Sequence, residues 1–319
     1  MSLFLFLLLF QSPEAPPYPE AEITNGVMRA KLLLPDPQRG YYRGTRFDWS
    51  GAISSLTWQG HEYFGQWFPK YDPKIHDAIM GPVEEYRTGD AGLGYDEAKS
   101  GDTFVRIGVG VVRKPEEKQY RTFFTYDIVD PGKWTVRTKK DRVEFIHELT
   151  DGKGYAYRYT KVVRLTKGKP EMVIEHTLAN KGKRPIETAQ YNHNFFMIDK
   201  RPTGPEFTVR FPFDLKATRN LQGLAEIRGK DLVYLKELQK GQSVFTELQG
   251  FGATASDYDI RIENAKAKAG VRIRGDQPLS KVVFWSISTT LCPEPYINLR
   301  AEPGKKVQWQ FVYDFYELP

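Results

Sequence analysis

Cysteine is almost absent from this chain of 319 residues, with Cys292 the single example. An intrachain disulfide and a cysteine-built metal cage are both excluded by that count. Histidine is nearly as scarce: beyond His193, the residues His61, His76, His147 and His176 are spread without metal-ligand spacing and read as structural. No metal and no cofactor is expected. A glycine-rich phosphate loop in a strand-to-helix setting is missing, as is a G-x-S-x-G elbow, so nucleotide use and serine hydrolysis lack their signatures. Long hydrophobic runs are missing too. The apolar run at residues 3–10 is too short to span a bilayer, which argues against an integral membrane segment, but it fits the apolar region of a secretory signal. Residues 1–15 are accordingly expected to be a signal peptide or N-terminal extension, and the protein to be exported to a periplasmic or extracellular space, or to be cytoplasmic if the run is not a signal.

A large excess of one charge is also lacking, because the formal charge of +6 is spread over basic residues mixed with 40 acidic ones. The densest basic clusters, Lys139-Lys140-Arg142 and Lys181-Lys183-Arg184, fall at predicted turns and read as solvated charges. No nucleic-acid partner is expected. Oligomeric state leaves no mark in the sequence.

What the chain does have is alternation. Short apolar-polar runs at 104–112, 142–149, 155–165, 282–288 and 307–315 are separated by turn residues such as Lys167-Gly168-Lys169 and Pro303-Gly304. No helical stripe of comparable strength competes with them. With 40% hydrophobic residues, no fixed repeat and no mid-chain linker, the pattern predicts an all-β protein. Residues 16–319 are expected to form one large antiparallel β-sandwich domain.

Two segments carry candidate chemistry. In the first, residues 171–178 alternate, Asn180-Lys181-Gly182-Lys183 is turn chemistry and Pro185 opens the next run, which together predict a hairpin. On its second strand Glu187, Ala189, Tyr191, His193, Phe195 and Met197 share a face, setting an imidazole among aromatic groups that tune its pKa. In the second segment, Leu291-Cys292-Pro293-Glu294-Pro295-Tyr296, a glutamate stands between two prolines that restrict its backbone. A loop holding Glu294 in place is the expectation.

Together these segments resemble the galactose mutarotase-like superfamily, whose best-known members are aldose 1-epimerases. Residues 172–178, then Asn180, Gly182 and Pro185, then Asn192-His193 with Phe195-Phe196, look like the family's strand, N-x-G-x-x-P turn and N-H-x-Y-F-type strand. Cys292-Pro293-Glu294 before a Pro-Gly turn resembles its C-terminal segment, and GAISSLTWQGHEY (51–63) resembles its early hairpin. The resemblance implies the supersandwich fold, a sugar or sugar-derivative substrate, and interconversion of sugar anomers with Glu294 as base and His193 as acid. Ring opening needs such a pair, one group to take the proton of the C1 hydroxyl and one to protonate the ring oxygen. Asn192, beside the histidine, joins the candidate substrate contacts.

Where the better-known epimerases carry a second histidine in an L-H-G-G-like motif, this chain reads HDAIMGPVEEYR, with Glu84 and Glu85 on opposite faces of an extended strand. Both are candidate substrate contacts, at most one readily entering a pocket, and His76 stands near without a positional match. Arg43 and Arg46 are candidates to hold sugar hydroxyls or a uronate carboxylate, and Tyr41, Tyr42 and Trp49 to stack on a pyranose. An oligosaccharide lyase or hydrolase using Glu84 or Glu85, and a noncatalytic carbohydrate-binding protein, stand as alternatives.

Overall fold

The structure is a computed structural model and describes residues 18–319. Among these residues every regular element is a strand except two short 3₁₀ turns, Ile198–Lys200 and Ala255–Asp257. No helix among them is long and apolar enough to cross a membrane. The apolar run at 3–10 and the predicted boundary after residue 15 lie outside the described residues.

Two antiparallel sheets dominate. The larger has ten strands, among them Tyr155–Leu165, Glu171–Asn180 and Lys306–Glu317 side by side near its middle. The smaller has six, in the order Lys216–Ala217, Ser243–Gln249, Lys281–Ile287, Thr290–Ala301, Ile186–His193 and Val83–Arg87. Alternate side chains of each sheet face the other: Met172, Ile174, Trp309 and Phe311 from the first meet Ile186, Phe284, Ile297 and Leu299 from the second in one buried cluster. Truncating any of these aliphatic residues to alanine removes about 2–5 kcal/mol of stability. The fold is thus the expected large antiparallel β-sandwich. The early hairpin also forms, Ile53–Trp58 pairing with His61–Glu62.

Three local expectations are corrected. Residues 104–112 are not one strand: Thr103–Arg106 and Gly110–Arg113 pair with each other, turning at Gly108, whose φ of 77° favours glycine. Nor do the strands flanking the Asn-x-Gly turn form a hairpin. Glu171–Asn180 belongs to the ten-stranded sheet and Ile186–His193 to the six-stranded one, so the turn is an arch between layers. Asn180 holds it, donating to the carbonyls of Arg184 and Ala301 at 2.8 Å each and accepting from Gly182 N at 2.9 Å.

The third correction concerns Glu294, which lies inside the strand Thr290–Ala301 rather than in a loop. Proline lacks the N–H a ladder requires, so a central strand tolerates it only where a neighbour has stopped pairing. That is the case here: the ladder to Ile186–His193 ends at the pair Tyr191 and Tyr296. Beyond it, the carbonyl of Pro293 accepts instead from the Asn194 side chain at 2.7 Å.

Candidate active site

Register brings the two candidate catalytic residues together. Tyr191 is paired with Tyr296, and the same register carried two residues further sets His193 opposite Glu294. Their side chains meet, Nε2 to Oε1, at 3.3 Å, and they are only 4% and 5% exposed. Just past the histidine the strand stops. Phe195 takes a φ of 44°, a conformation bulky residues avoid, and its ring stacks on the imidazole at 3.9 Å. Trp285 and Phe47 meet the same imidazole edge-on, each at 5.6 Å. Close passage of the preceding segment needs Gly81, where a Cβ would lie 2.4 Å from the Asn194 carbonyl oxygen.

Burial sets the protonation of this pair. Desolvation pushes Glu294 up to about 8, with Glu85 and Asp77 adding to the rise and Arg46 opposing it. Desolvation and the Arg46 charge push His193 well below 6.5, against Asp77. The Nδ1 atom of His193, buried without a partner, has no acceptor to favour the imidazolium. Both shifts favour the uncharged forms, a protonated Glu294 beside a neutral His193. This reverses the resting state expected of a carboxylate base and an imidazolium acid, because two ions in this enclosure lose more hydration than they regain.

Arg46 crosses the pocket in a fixed orientation. Nε donates to Glu85 Oε2 at 3.1 Å, Nη2 to the Tyr191 hydroxyl at 3.1 Å, and Nη1 to Asp77. The Tyr191 hydroxyl donates in turn to Glu85 at 2.5 Å. Burial alone would raise Asp77 and Glu85, yet Arg46, with His76 for the one and Arg106 for the other, holds both carboxyls below the usual range. Beneath them lies fully buried Arg106, which donates to the carbonyls of Thr45 at 3.1 Å and of Arg46 and Ala91 at 2.6 Å. The loop that carries Arg46 has no regular structure, and Arg106 anchors it together with backbone bonds such as Asp48 N to the Glu84 carbonyl at 2.8 Å.

A cavity of about 280 Å³ opens over this constellation, with His193, Glu294, Arg46 and Asp77 at its polar end and Trp285 and Phe123 among its walls. Its size is near the lower end for small-molecule pockets. Of the residues expected from sequence, His193, Glu294 and Arg46 converge in it. Arg43 does not; its guanidinium donates to the Gln38 carbonyl at 2.9 Å. Asn192 faces the opposite side of its strand and donates to the Tyr313 hydroxyl at 3.0 Å, bracing the two sheets. Glu84, on the same interior face, pairs with buried Lys161 and with His176 at 3.2 Å. Glu85 lies under the pocket, touching Arg46 and Tyr191 rather than lining it. Tyr41, Tyr42 and Trp49 are packed among their neighbours. Phe123, Trp285 and Tyr296 supply the aromatic walls instead.

Asp77 was legible only as part of the segment that replaces the second histidine of the epimerases. It now partners Arg46 and, at 2.9 Å, His76 Nε2. Trp285 and Phe123 belong to distant segments with no motif of their own.

The sandwich has the galactose mutarotase-like fold. It is similar to the GalM/aldose epimerase homologue of C. elegans, with a TM-score of 0.59 and 15% identity over 95% of this chain and 100% of the other. A galactose mutarotase related enzyme from Lactobacillus acidophilus gives a TM-score of 0.57 and 12% identity, covering 94% and 99% of the two chains. A protein from Synechocystis gives 0.57 and 14% identity over 99% and 100%. No family model and no curated protein sequence matches the chain.

Proposed function

We propose that this protein is a carbohydrate-active enzyme that interconverts the anomers of a reducing sugar by acid-base ring opening. The observation that carries the reading is the contact of 3.3 Å between His193 Nε2 and Glu294 Oε1 in an open, aromatic-walled pocket. A protonated carboxyl beside a neutral imidazole has what the reaction needs, one group to give a proton and one to take it. In opening, Glu294 gives its proton to the ring oxygen as the C1–O5 bond breaks, and His193 takes the proton of the C1 hydroxyl, leaving an aldehyde. After rotation about C1–C2, the O5 hydroxyl attacks the other face of C1. Glu294 takes the O5 proton back and His193 returns its proton to O1. Glu294 is thus acid in opening and base in closure, and His193 the reverse, which exchanges the roles the family resemblance implies for ring opening.

Arg46, held by Glu85, Tyr191 and Asp77, offers fixed donors for sugar hydroxyls, and Trp285 and Phe123 offer apolar surface for the ring. The cleavage alternative requires Glu84 or Glu85 as an added carboxylate in the pocket, and neither lines it.

The test is NMR exchange between pure anomers across a sugar panel. The wild type is expected to accelerate exchange, and His193→Ala and Glu294→Gln to lose about 10²–10⁴-fold. Equal rates with and without protein on every sugar would overturn the reading.

A further inference from the structure

We propose that the pocket continues into a second carbohydrate subsite, so that the substrate is a reducing oligosaccharide with its terminal unit at His193 and Glu294. This rests on the sugar-enzyme reading above and extends it to substrate class.

The outward face of the six-stranded sheet is laid out in rows by its register. His193, Glu294 and Val283 form one row, and Glu85, Tyr191, Tyr296 and Lys281 the next. Arg87, Ala189 and Asn298 form a third, followed by Glu187 beside Arg300. Successive rows lie two residues apart along the strands, roughly 7 Å. The second row is tall, because Tyr191 and Tyr296 stack at 4.3 Å. In the third, the methyl group of Ala189 lowers the floor. Over it lies a second cavity of about 470 Å³, bounded by Arg87, Asn298, Glu187 and Arg300.

Arg87 borders both cavities. Its Nη2 donates to the Asp90 carbonyl at 3.0 Å, while its Nε is buried without a hydrogen-bond partner, the Glu85 carboxylate lying 3.8 Å away. An unpaired donor is unfavourable when buried, and an oxygen passing between the cavities would satisfy it. Asn298 points outward and its amide makes no hydrogen bond to the described residues. A shallow floor ringed by amide, guanidinium and carboxylate groups, reached across a tyrosine pair, suits a linked sugar unit with polar edges and an apolar face. The reaction demands a free C1 hydroxyl at His193, so the added units extend from the non-reducing side of the terminal sugar.

The experiment compares anomer exchange on reducing monosaccharides with exchange on their disaccharides and trisaccharides. For the wild type, kcat/KM is expected to be about tenfold or more higher on the trisaccharides, whose outer unit can reach across the two rows, roughly 14 Å, from His193 to Ala189. Ala189→Trp, which fills the floor, and Asn298→Ala, an exposed change that spares folding, should both bring that ratio toward one. An equal kcat/KM on short and long sugars, unmoved by either variant, would overturn the subsite and leave the epimerase reading intact. If no sugar exchanges, the epimerase reading fails instead. The subsite is then decided by saturation-transfer NMR of trisaccharide binding, retained in the wild type and lost in Ala189→Trp if it exists, and equal in both if it does not.

Discussion

Arg106 Nη2 donates both to the backbone carbonyl of Arg46, at 2.6 Å, and to the carboxylate of Glu85, at 3.1 Å. One buried guanidinium thus fixes the loop carrying a pocket cation and the acid that orients it. Lysine keeps the charge but not the fork. Arg106→Lys is expected to lower kcat/KM by up to about a hundredfold through misplacement of Arg46. The alkaline limb should move to higher pH, since the Arg46 charge is what opposes the rise of Glu294. Steady-state kinetics over pH check this; an unchanged kcat/KM would show that the loop needs no such anchor.

The pH profile itself follows from the His193 and Glu294 pair. Activity should fall as the pH rises through about 8, where Glu294 loses its proton. On the acid side it should persist below 6.5, because His193 resists protonation in its buried setting. An acid limb near the ordinary histidine value would show that the imidazole is far better solvated than this geometry implies.

His147 makes a separate, structural prediction. It stacks on Trp134 at 4.2 Å and lies 2.9 Å from the Pro131 carbonyl through Nε2, while Nδ1 accepts from Tyr157 at 3.0 Å. Burial pushes it from 6.5 down to about 4. Since the folded value is the lower one, its contribution to stability is present above 6.5 and is lost as the pH falls toward 4. The loss by the acid end is about 3 kcal/mol. Urea unfolding should show that His147→Gln flattens this part of the stability profile; parallel profiles for the two proteins would refute the assignment.

Lys161 sits within the sandwich, bonded to Glu84, to the Ser50 carbonyl at 2.7 Å and to Asp48 at 3.4 Å. Lys161→Met leaves two buried carboxylates without a counter-charge and is expected to cost about 3–5 kcal/mol at neutral pH. The loss should shrink on acidification, as the carboxylates take up protons, and Glu84→Gln in the same background should recover much of it. Denaturant titrations at two pH values would expose a pH-independent loss, which would point to packing instead.

Much of the fold was legible because strand alternation is local. The arch at residues 180–185 was not, since Asn-x-Gly chemistry specifies a reversal but not whether the flanking strands pair or part into two layers. His193 and Glu294 were legible through family resemblance, and Arg46 through its place among aromatic residues. Glu84 was misread because carboxylates are rarely fully buried, and its partners Lys161 and His176 lie 77 and 92 residues away. Asn192 was misplaced by adjacency: neighbours on a strand face opposite ways, so the residue beside a pocket histidine belongs to the core.

The prolines around Glu294 also bear on how the two strands find each other. A slip that pushes the histidine strand two residues further along its neighbour would keep every side chain on its proper face, so hydrophobic patterning alone does not forbid it. Such a pairing would call on ladder bonds from the nitrogens of Pro293 and Pro295, which have no hydrogen to give. Mispairing in that direction is blocked chemically before any packing is tested. The same two rings that frame the glutamate would therefore act as an assembly stop, so that the pocket geometry at Glu294 and the strand register rest on the same two residues.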